Sequence, residues 1–177
     1  MTGQKLQAGS QFPEIMLSGL DGGNINLEKP DLDYDWRLVI IYRGKHCPIC
    51  TRYLSELNTV LPDLKKLGID AVAVSADPHE KAVAHMEDVK PDFPVGYDLN
   101  IAQMQQLGLY ISDPRSPEET DRPFAEPGLF VINDEGKVQI VDISNAPFAR
   151  PELGSMLMGL TFIRNPDNAY PIRGTHS

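Results

Sequence analysis

Residues 38–50 read Leu38-Val39-Ile40-Ile41-Tyr42-Arg43-Gly44-Lys45-His46-Cys47-Pro48-Ile49-Cys50. The first five form a continuous apolar run rich in β-branched residues, the pattern of a strand buried on both faces. After Cys50 the period changes. Leu54, Leu57, Val60, Leu61, Leu64 and Leu67 fall on one side of a helix. A Cys-x-x-Cys therefore sits where a buried strand hands over to a helix. Free N–H groups and the helix dipole at such a start favour a thiolate, and the spacing lets two thiols close a small disulfide. Cys47 is the candidate nucleophile and Cys50, one turn in, the resolving thiol.

Working outward, the periodicity predicts a core strand over about 37–43 and a helix kinked at Pro62 and ended by Gly68. A second buried strand follows over Ile69–Ser75. Asp77-Pro78 predicts a helix through about Val89, with Asp77 as its cap. A short extended segment is expected at 94–98 and a helix over 100–107. Leu129-Phe130-Val131-Ile132 is a third core strand, turned by Asn133-Asp134-Glu135-Gly136 into a strand over 137–143. A last helix is expected from about Pro151 to Ile163, with Leu153, Met156, Leu157, Leu160 and Ile163 inward. Upstream, Asp21-Gly22-Gly23-Asn24 separates two short apolar segments and predicts a hairpin. Residues 1–11 read as a loose lead-in and 112–127 as a long Pro-rich, charged loop. This order gives an α/β fold, a mixed central sheet with helices on both faces. A single domain is expected over 1–177, with a core of about 6–164 and a tail over 165–177.

The chain has 177 residues and a net charge of −9, with 25 acidic against 16 basic side chains. That balance argues against nucleic-acid backbone binding, which needs clustered Lys and Arg. No signal-like start and no 18-residue apolar run is present, so neither a leader nor a membrane span is expected. Two cysteines do not make a secreted disulfide framework, and the cytoplasm is the expected compartment.

The order of elements, with Cys-x-x-Cys at the first core strand-to-helix junction, resembles the thioredoxin fold. The finer likeness is to its peroxiredoxin-like branch, the alkyl hydroperoxide reductase/thiol-specific antioxidant group, and covers roughly residues 6–160. Four stretches carry it: Leu38–Pro48, Ala71-Val72-Ala73-Val74-Ser75-Ala76-Asp77, Phe93-Pro94-Val95-Gly96-Tyr97-Asp98, and Gly128 through Val138. The Arg-Gly-x-x-Cys-Pro-x-Cys form is similar to a dithiol subgroup that usually carries an aromatic residue where this chain has His46. The resemblance departs in the residues that polarise peroxide in that family. Its Thr or Ser three before the reacting Cys and its Pro seven before are Gly44 and Ile40 here, and its Arg falls on Pro127. Thioredoxins place a cis-proline at that last position, so the likeness implies a cis bond at Pro127, with Pro123 as the alternative.

The resemblance implies a thiol oxidoreductase with a peroxide or disulfide substrate, an external dithiol reductant such as a thioredoxin-like protein, and no metal or organic cofactor. Thiol–disulfide exchange and hydroperoxide reduction both remain open, as does pairing into a homodimer. A different class of function, Cu(I) held by two thiolates, is also open. Zinc is disfavoured, because His46 and the two thiols make only three ligands. His46 could lower the Cys47 pKa or donate a proton. Arg43 could stabilise thiolate or oxyanion charge, and Arg122 or Arg150 could bring a guanidinium from the loops, although all three also fit ordinary surface positions. His79, His85 and His176 read as surface residues. Trp36, Met156 and Met158 read as packing.

Overall fold

The structure is a computed structural model and describes residues 4–177. Met1, Thr2 and Gly3 of the expected lead-in lie outside the described residues. The chain begins with a hairpin, β1 (Met16–Gly19) and β2 (Asn24–Asn26), turned by the predicted Asp-Gly-Gly sequence. Then come β3 (Trp36–Ile41), α1 (Pro48–Lys66), β4 (Ile69–Val74), α2 (His79–Val89), β5 (Val95–Tyr97) and α3 (Ile101–Gln106). Two short strands, β6 (Ile111–Ser112) and β7 (Phe124–Ala125), precede β8 (Gly128–Ile132), β9 (Val138–Ile143) and α4 (Leu153–Arg164). A short 3-10 turn over Pro166–Asn168 follows.

The main sheet runs β2-β1-β5-β4-β3-β8-β9. The β3–β4 and β4–β5 pairs are parallel; β1–β2, β1–β5, β3–β8 and β8–β9 are antiparallel. This is the expected mixed α/β sheet of the thioredoxin-like fold. Every residue of β3 and β4 is buried, and the period-2 alternation sends their side chains to two separate cores. Leu38, Ile40, Ala71 and Ala73 pack with the apolar faces of α1, α2 and α4. Val39, Ile41, Val72 and Val74 pack on the other side with Phe12, Leu27, Met104 of α3 and Phe130.

Several local expectations change. Pro62 lies inside α1 without ending it. It is exposed, so the N–H it lacks falls on the solvent side, where water can satisfy the orphaned carbonyl. Gly68 follows the helix end with φ +79°, and a Cβ there would sit 2.9 Å from Asp35 Oδ1. The cap of α2 is Pro78, without a side-chain bond; the carboxylate of Asp77 is engaged elsewhere. The lead-in is not loose from residue 4 onward. Lys5 Nζ donates to Gly108 O at 2.9 Å and lies over the Tyr110 ring, while Gly9 N–H donates to Val138 O. The long loop over 112–127 is closed at its base by the β6–β7 pair, with Ile111 opposite Ala125 and Ser112 opposite Phe124. No helix is long and apolar enough to cross a membrane among the described residues.

Candidate functional site

Strand β3 ends at Ile41, and the next six residues carry the chain over its C-terminal edge to the N-cap of α1. Cys47 is that cap. Its φ and ψ are −118° and 98°, Pro48 takes the first helical position, and Cys47 Sγ accepts the N–H of Cys50 at 3.3 Å. Proline costs nothing here, because the first N–H of a helix has no internal partner anyway. Both cysteines are free thiols. Cys47 is 2% exposed and Cys50 is fully buried.

The two sulfurs divide one charge between them. The Cys50 thiol donates to Cys47 Sγ, and this bond outweighs the burial that opposes ionisation. With the Cys50 N–H and the nearby Arg43 and Arg150 guanidinium groups, it lowers the Cys47 pKa to about 6. The same shared hydrogen and deeper burial push Cys50 strongly upward. Both shifts point the same way: they favour the thiolate on Cys47 and the proton on Cys50.

Three elements frame the thiols. From just past the end of β3, Arg43 reaches Glu126, with Nε 3.2 Å from Oε1. Glu126 is buried, and its Oε2 accepts from Ser112 Oγ at 2.5 Å. From β7, the Phe124 ring meets His46 edge-on at 4.6 Å and lies beneath the Arg43 guanidinium at 4.9 Å. From the segment between β9 and α4, Arg150 places Nη2 3.4 Å from Cys50 Sγ and stacks over Tyr53 at 4.4 Å. Ahead of Cys47, the main-chain N–H of Lys45 donates to Asp77 Oδ2 at 2.8 Å.

Measured against the expectations, Cys47, Cys50, His46 and Arg43 converge on one end of the sheet. The pairing of Ile41 with Gly128 brings Pro127 and Glu126 alongside Tyr42 and Arg43. Burial first, then Arg43, lowers the His46 pKa, so His46 is neutral at pH 7 and the positive field at Cys47 comes from the arginines. No peptide bond among the described residues is cis, so the cis bond expected at Pro127, or at Pro123, is replaced by trans bonds. The chain runs extended from β7 into β8, a path that suits a trans X-Pro bond.

Arg150 is not a surface residue; it is half-buried against Cys50. Arg122 pairs with Asp98 at 3.0 Å and takes no part in the thiol contacts. His85 is 1% exposed rather than superficial: it meets Thr51 Oγ1 at 2.7 Å and the Tyr42 ring at 5.6 Å. Glu126 and Phe124 escaped sequence reasoning, and Asp77 was expected only as a helix cap. They lie far from the cysteines along the chain, and only the buried position of an acidic residue inside Phe-Ala-Glu-Pro could have drawn attention to one of them. No group of three or more His, Cys, Asp or Glu side chains is arranged to hold a metal among the described residues.

A thiolate at a helix start, a protonated thiol one turn on and flanking guanidinium groups on this sheet define a thiol-based oxidoreductase of the thioredoxin-like fold. The chain belongs to the AhpC/TSA family, whose pattern it matches over residues 8–141. It is 26% identical over 137 residues to the thiol-disulfide oxidoreductase ResA of Bacillus cereus, covering 76% of this chain and 69% of that protein. It is 25% identical over 141 residues to alkyl hydroperoxide reductase C of Amphibacillus xylanus, covering 80% and 66%. The match thus spans about two thirds of these relatives' length. Among solved structures, a peroxiredoxin-like protein from Aquifex aeolicus superposes with a TM-score of 0.74 at 19% identity, covering 90% of this chain and 89% of that one.

Proposed function

We propose that the chain cycles Cys47 and Cys50 between dithiol and disulfide, reducing an external disulfide or hydroperoxide. Cys47 thiolate attacks one sulfur or oxygen of the oxidant and releases a thiolate or alkoxide. Cys50 then attacks Cys47 sulfur, expels the second product, and leaves the Cys47–Cys50 bond. A dithiol reductant, such as a thioredoxin-like protein in a reducing compartment like the cytoplasm, returns both thiols. The contact between Cys47 Sγ and the Cys50 N–H at 3.3 Å carries this reading, because it puts attacker and resolver in a single helical turn. Mild oxidation of the reduced protein, followed by mass spectrometry, tests it. The expected product is an intramolecular Cys47–Cys50 crosslink, lost in Cys50→Ser; absence of that crosslink in the unaltered chain rejects the cycle.

Within the cycle, the 2% exposure of Cys47 favours a small hydroperoxide over a bulky disulfide. The test is competition for the reduced protein between hydrogen peroxide and glutathione disulfide, read by quenched alkylation. A peroxide rate no faster than that of a free thiol leaves disulfide exchange as the chemistry.

A further inference from the structure

Arg150 is aimed at the second thiol. Its Nη2 lies 3.4 Å from Cys50 Sγ, and its Nε donates to Pro147 O at 2.8 Å. Its plane rests on Tyr53, whose hydroxyl donates to Pro151 O at 2.6 Å. Whereas Arg43 is paired with Glu126, no carboxylate forms an ion pair with Arg150 among the described residues. Its Nη1 is buried without a hydrogen-bond partner. A half-buried guanidinium with a buried, unused donor beside a sulfur is a costly arrangement unless that sulfur becomes an anion.

We propose that Arg150 is a catalytic residue of the second half-reaction, holding Cys50 as a thiolate once Cys47 has been oxidised. The proposal rests on the dithiol cycle above. Before oxidation, Cys47 takes the negative charge and Cys50 keeps the proton, chiefly because the two share one hydrogen. When Cys47 becomes a sulfenic acid or a mixed disulfide, that charge disappears and the shared hydrogen with it. What still faces Cys50 is the Arg43 backbone N–H and the Arg150 guanidinium, both of which favour its ionised form.

With a hydroperoxide the step is Cys47–S–OH plus Cys50–S⁻ giving Cys47–S–S–Cys50 plus hydroxide. An S–S bond forms and an S–O bond breaks. The proton lost earlier by Cys50 converts the hydroxide to water. The titratable groups around this sulfur are few. Cys47 faces it from the cap of α1, Tyr42 from just past the end of β3, and Arg150 from the β9–α4 segment with Tyr53 of α1 beneath its guanidinium; Glu56, Asp142 and Glu152 act on Tyr53 from further out. Burial raises both tyrosines, so neither ionises in the working range.

The test separates the two half-reactions. Reduced protein and its Arg150→Lys and Arg150→Met variants receive one equivalent of hydrogen peroxide between pH 5 and 9. Sulfenate formation is trapped in a Cys50→Ser background, and closure of the Cys47–Cys50 bond is followed by acid quench. In the unaltered chain, closure should level off below the ordinary thiol pKa of about 8.5. Arg150→Met should slow closure at pH 7 by about tenfold, moving its acid limb up by roughly one unit; sulfenate formation should slow much less, because Arg150 is the smallest of the influences that lower the Cys47 pKa. Arg150→Lys should recover most of the rate. Closure with an unshifted pH profile in Arg150→Met overturns the proposal. So does a closure rate in the unaltered chain that keeps rising past pH 8.5, a reading that holds even if the Met variant does not fold. Failure of the unaltered chain to form any disulfide instead rejects the cycle itself.

Discussion

The carboxylate of Asp77 fills the space that a side chain at Gly44 would occupy. A Cβ on Gly44 would lie 2.7 Å from both carboxylate oxygens, and Gly44 already has φ +138°. A Thr or Ser at this position would have to push the Asp77 carboxylate aside and hold a left-handed backbone. Asp77, three residues past the end of β4, holds that space and accepts the Lys45 N–H. Gly44→Thr should destabilise the protein by about 1–3 kcal/mol from the backbone conformation alone, with further loss as Asp77 is displaced. It should not accelerate reaction with peroxide. Urea midpoints and the rate of Cys47 oxidation check both parts; a faster, equally stable variant contradicts the steric account.

Arg43 and Glu126 oppose one another in the field at Cys47. Arg43 lowers the Cys47 pKa, and the Glu126 carboxylate at 3.2 Å offsets part of that charge. Arg43→Met should raise the Cys47 pKa, and Glu126→Gln should lower it further. The pH profile of iodoacetamide alkylation reads the two shifts. Their opposite signs are the diagnostic, since general loosening of the site would move both variants the same way.

The divided charge of the dithiol makes stability depend on pH in two opposite senses. Cys47 has a folded pKa of about 6, well below the ordinary thiol value of about 8.5. A depressed acid contributes stability above its unfolded pKa and loses it as pH falls through the folded one. Cys50 is raised, so its contribution is present below the unfolded thiol pKa and is lost above it. Reduced protein should thus gain stability from about pH 6 to 9 and lose it beyond, relative to a Cys47→Ser/Cys50→Ser control. Urea midpoints across that range, with thiols kept reduced, measure the curve. A flat difference shows that Cys47 is not the thiolate.

The sheet and the dithiol were legible because both are written locally. Apolar runs at 38–42 and 71–74, a helical face from Leu54 to Leu64, and Cys-x-x-Cys between them need no tertiary knowledge. What was not legible depends on which distant groups meet. Glu126 is recognisable as a partner only once β8 pairs with β3 and sets it beside Arg43. Arg150 looks like any loop arginine until α4 packs against α1 and its guanidinium lies over Tyr53. His85 sits amid Lys81, Glu87 and Asp88 in sequence, and only its i+3 relation to the buried Ala82 hints that it faces inward. The cis-proline failed for the converse reason: likeness of position carried over a backbone state that the extended β7–β8 path does not adopt.

His85 has one partnered nitrogen. Thr51 Oγ1 lies 2.7 Å from its Nε2, and its Nδ1 is buried without a hydrogen bond. Burial is the first cause lowering its pKa, so it is neutral at pH 7 and the Thr51 contact is its main polar compensation. Thr51→Val keeps the shape and removes the hydroxyl, leaving the imidazole unsatisfied at a cost of about 1–3 kcal/mol. Thr51→Ser should restore most of the stability. Because Thr51 adjoins Cys50, the same variants show whether this bond also steadies the first turn of α1. If it does, Thr51→Val will slow disulfide closure beyond what its loss of stability accounts for.

Arg37 and Asp70 form an ion pair across β3 and β4 in which both side chains are 3% exposed. Arg37 Nε and Nη2 meet the two carboxylate oxygens at 3.0 and 2.9 Å, and Nη1 donates to Asn26 O at 3.0 Å. Asp70 Oδ2 also accepts the Asp31 N–H at 2.8 Å. One pair thereby ties β2, β3, β4 and the loop before β3 together. Removing one charge strands the other in a low-dielectric site, so Asp70→Asn should cost about 3–5 kcal/mol. A variant changing both residues to Met and Leu should be less damaging than Asp70→Asn, because it leaves no uncompensated charge. Yet Arg37 is the second residue of β3, and Cys47 lies beyond that strand's other end. Where enough Asp70→Asn protein remains folded, its Cys47 alkylation profile should match that of the unaltered chain. A shifted profile means that the two ends of β3 are coupled.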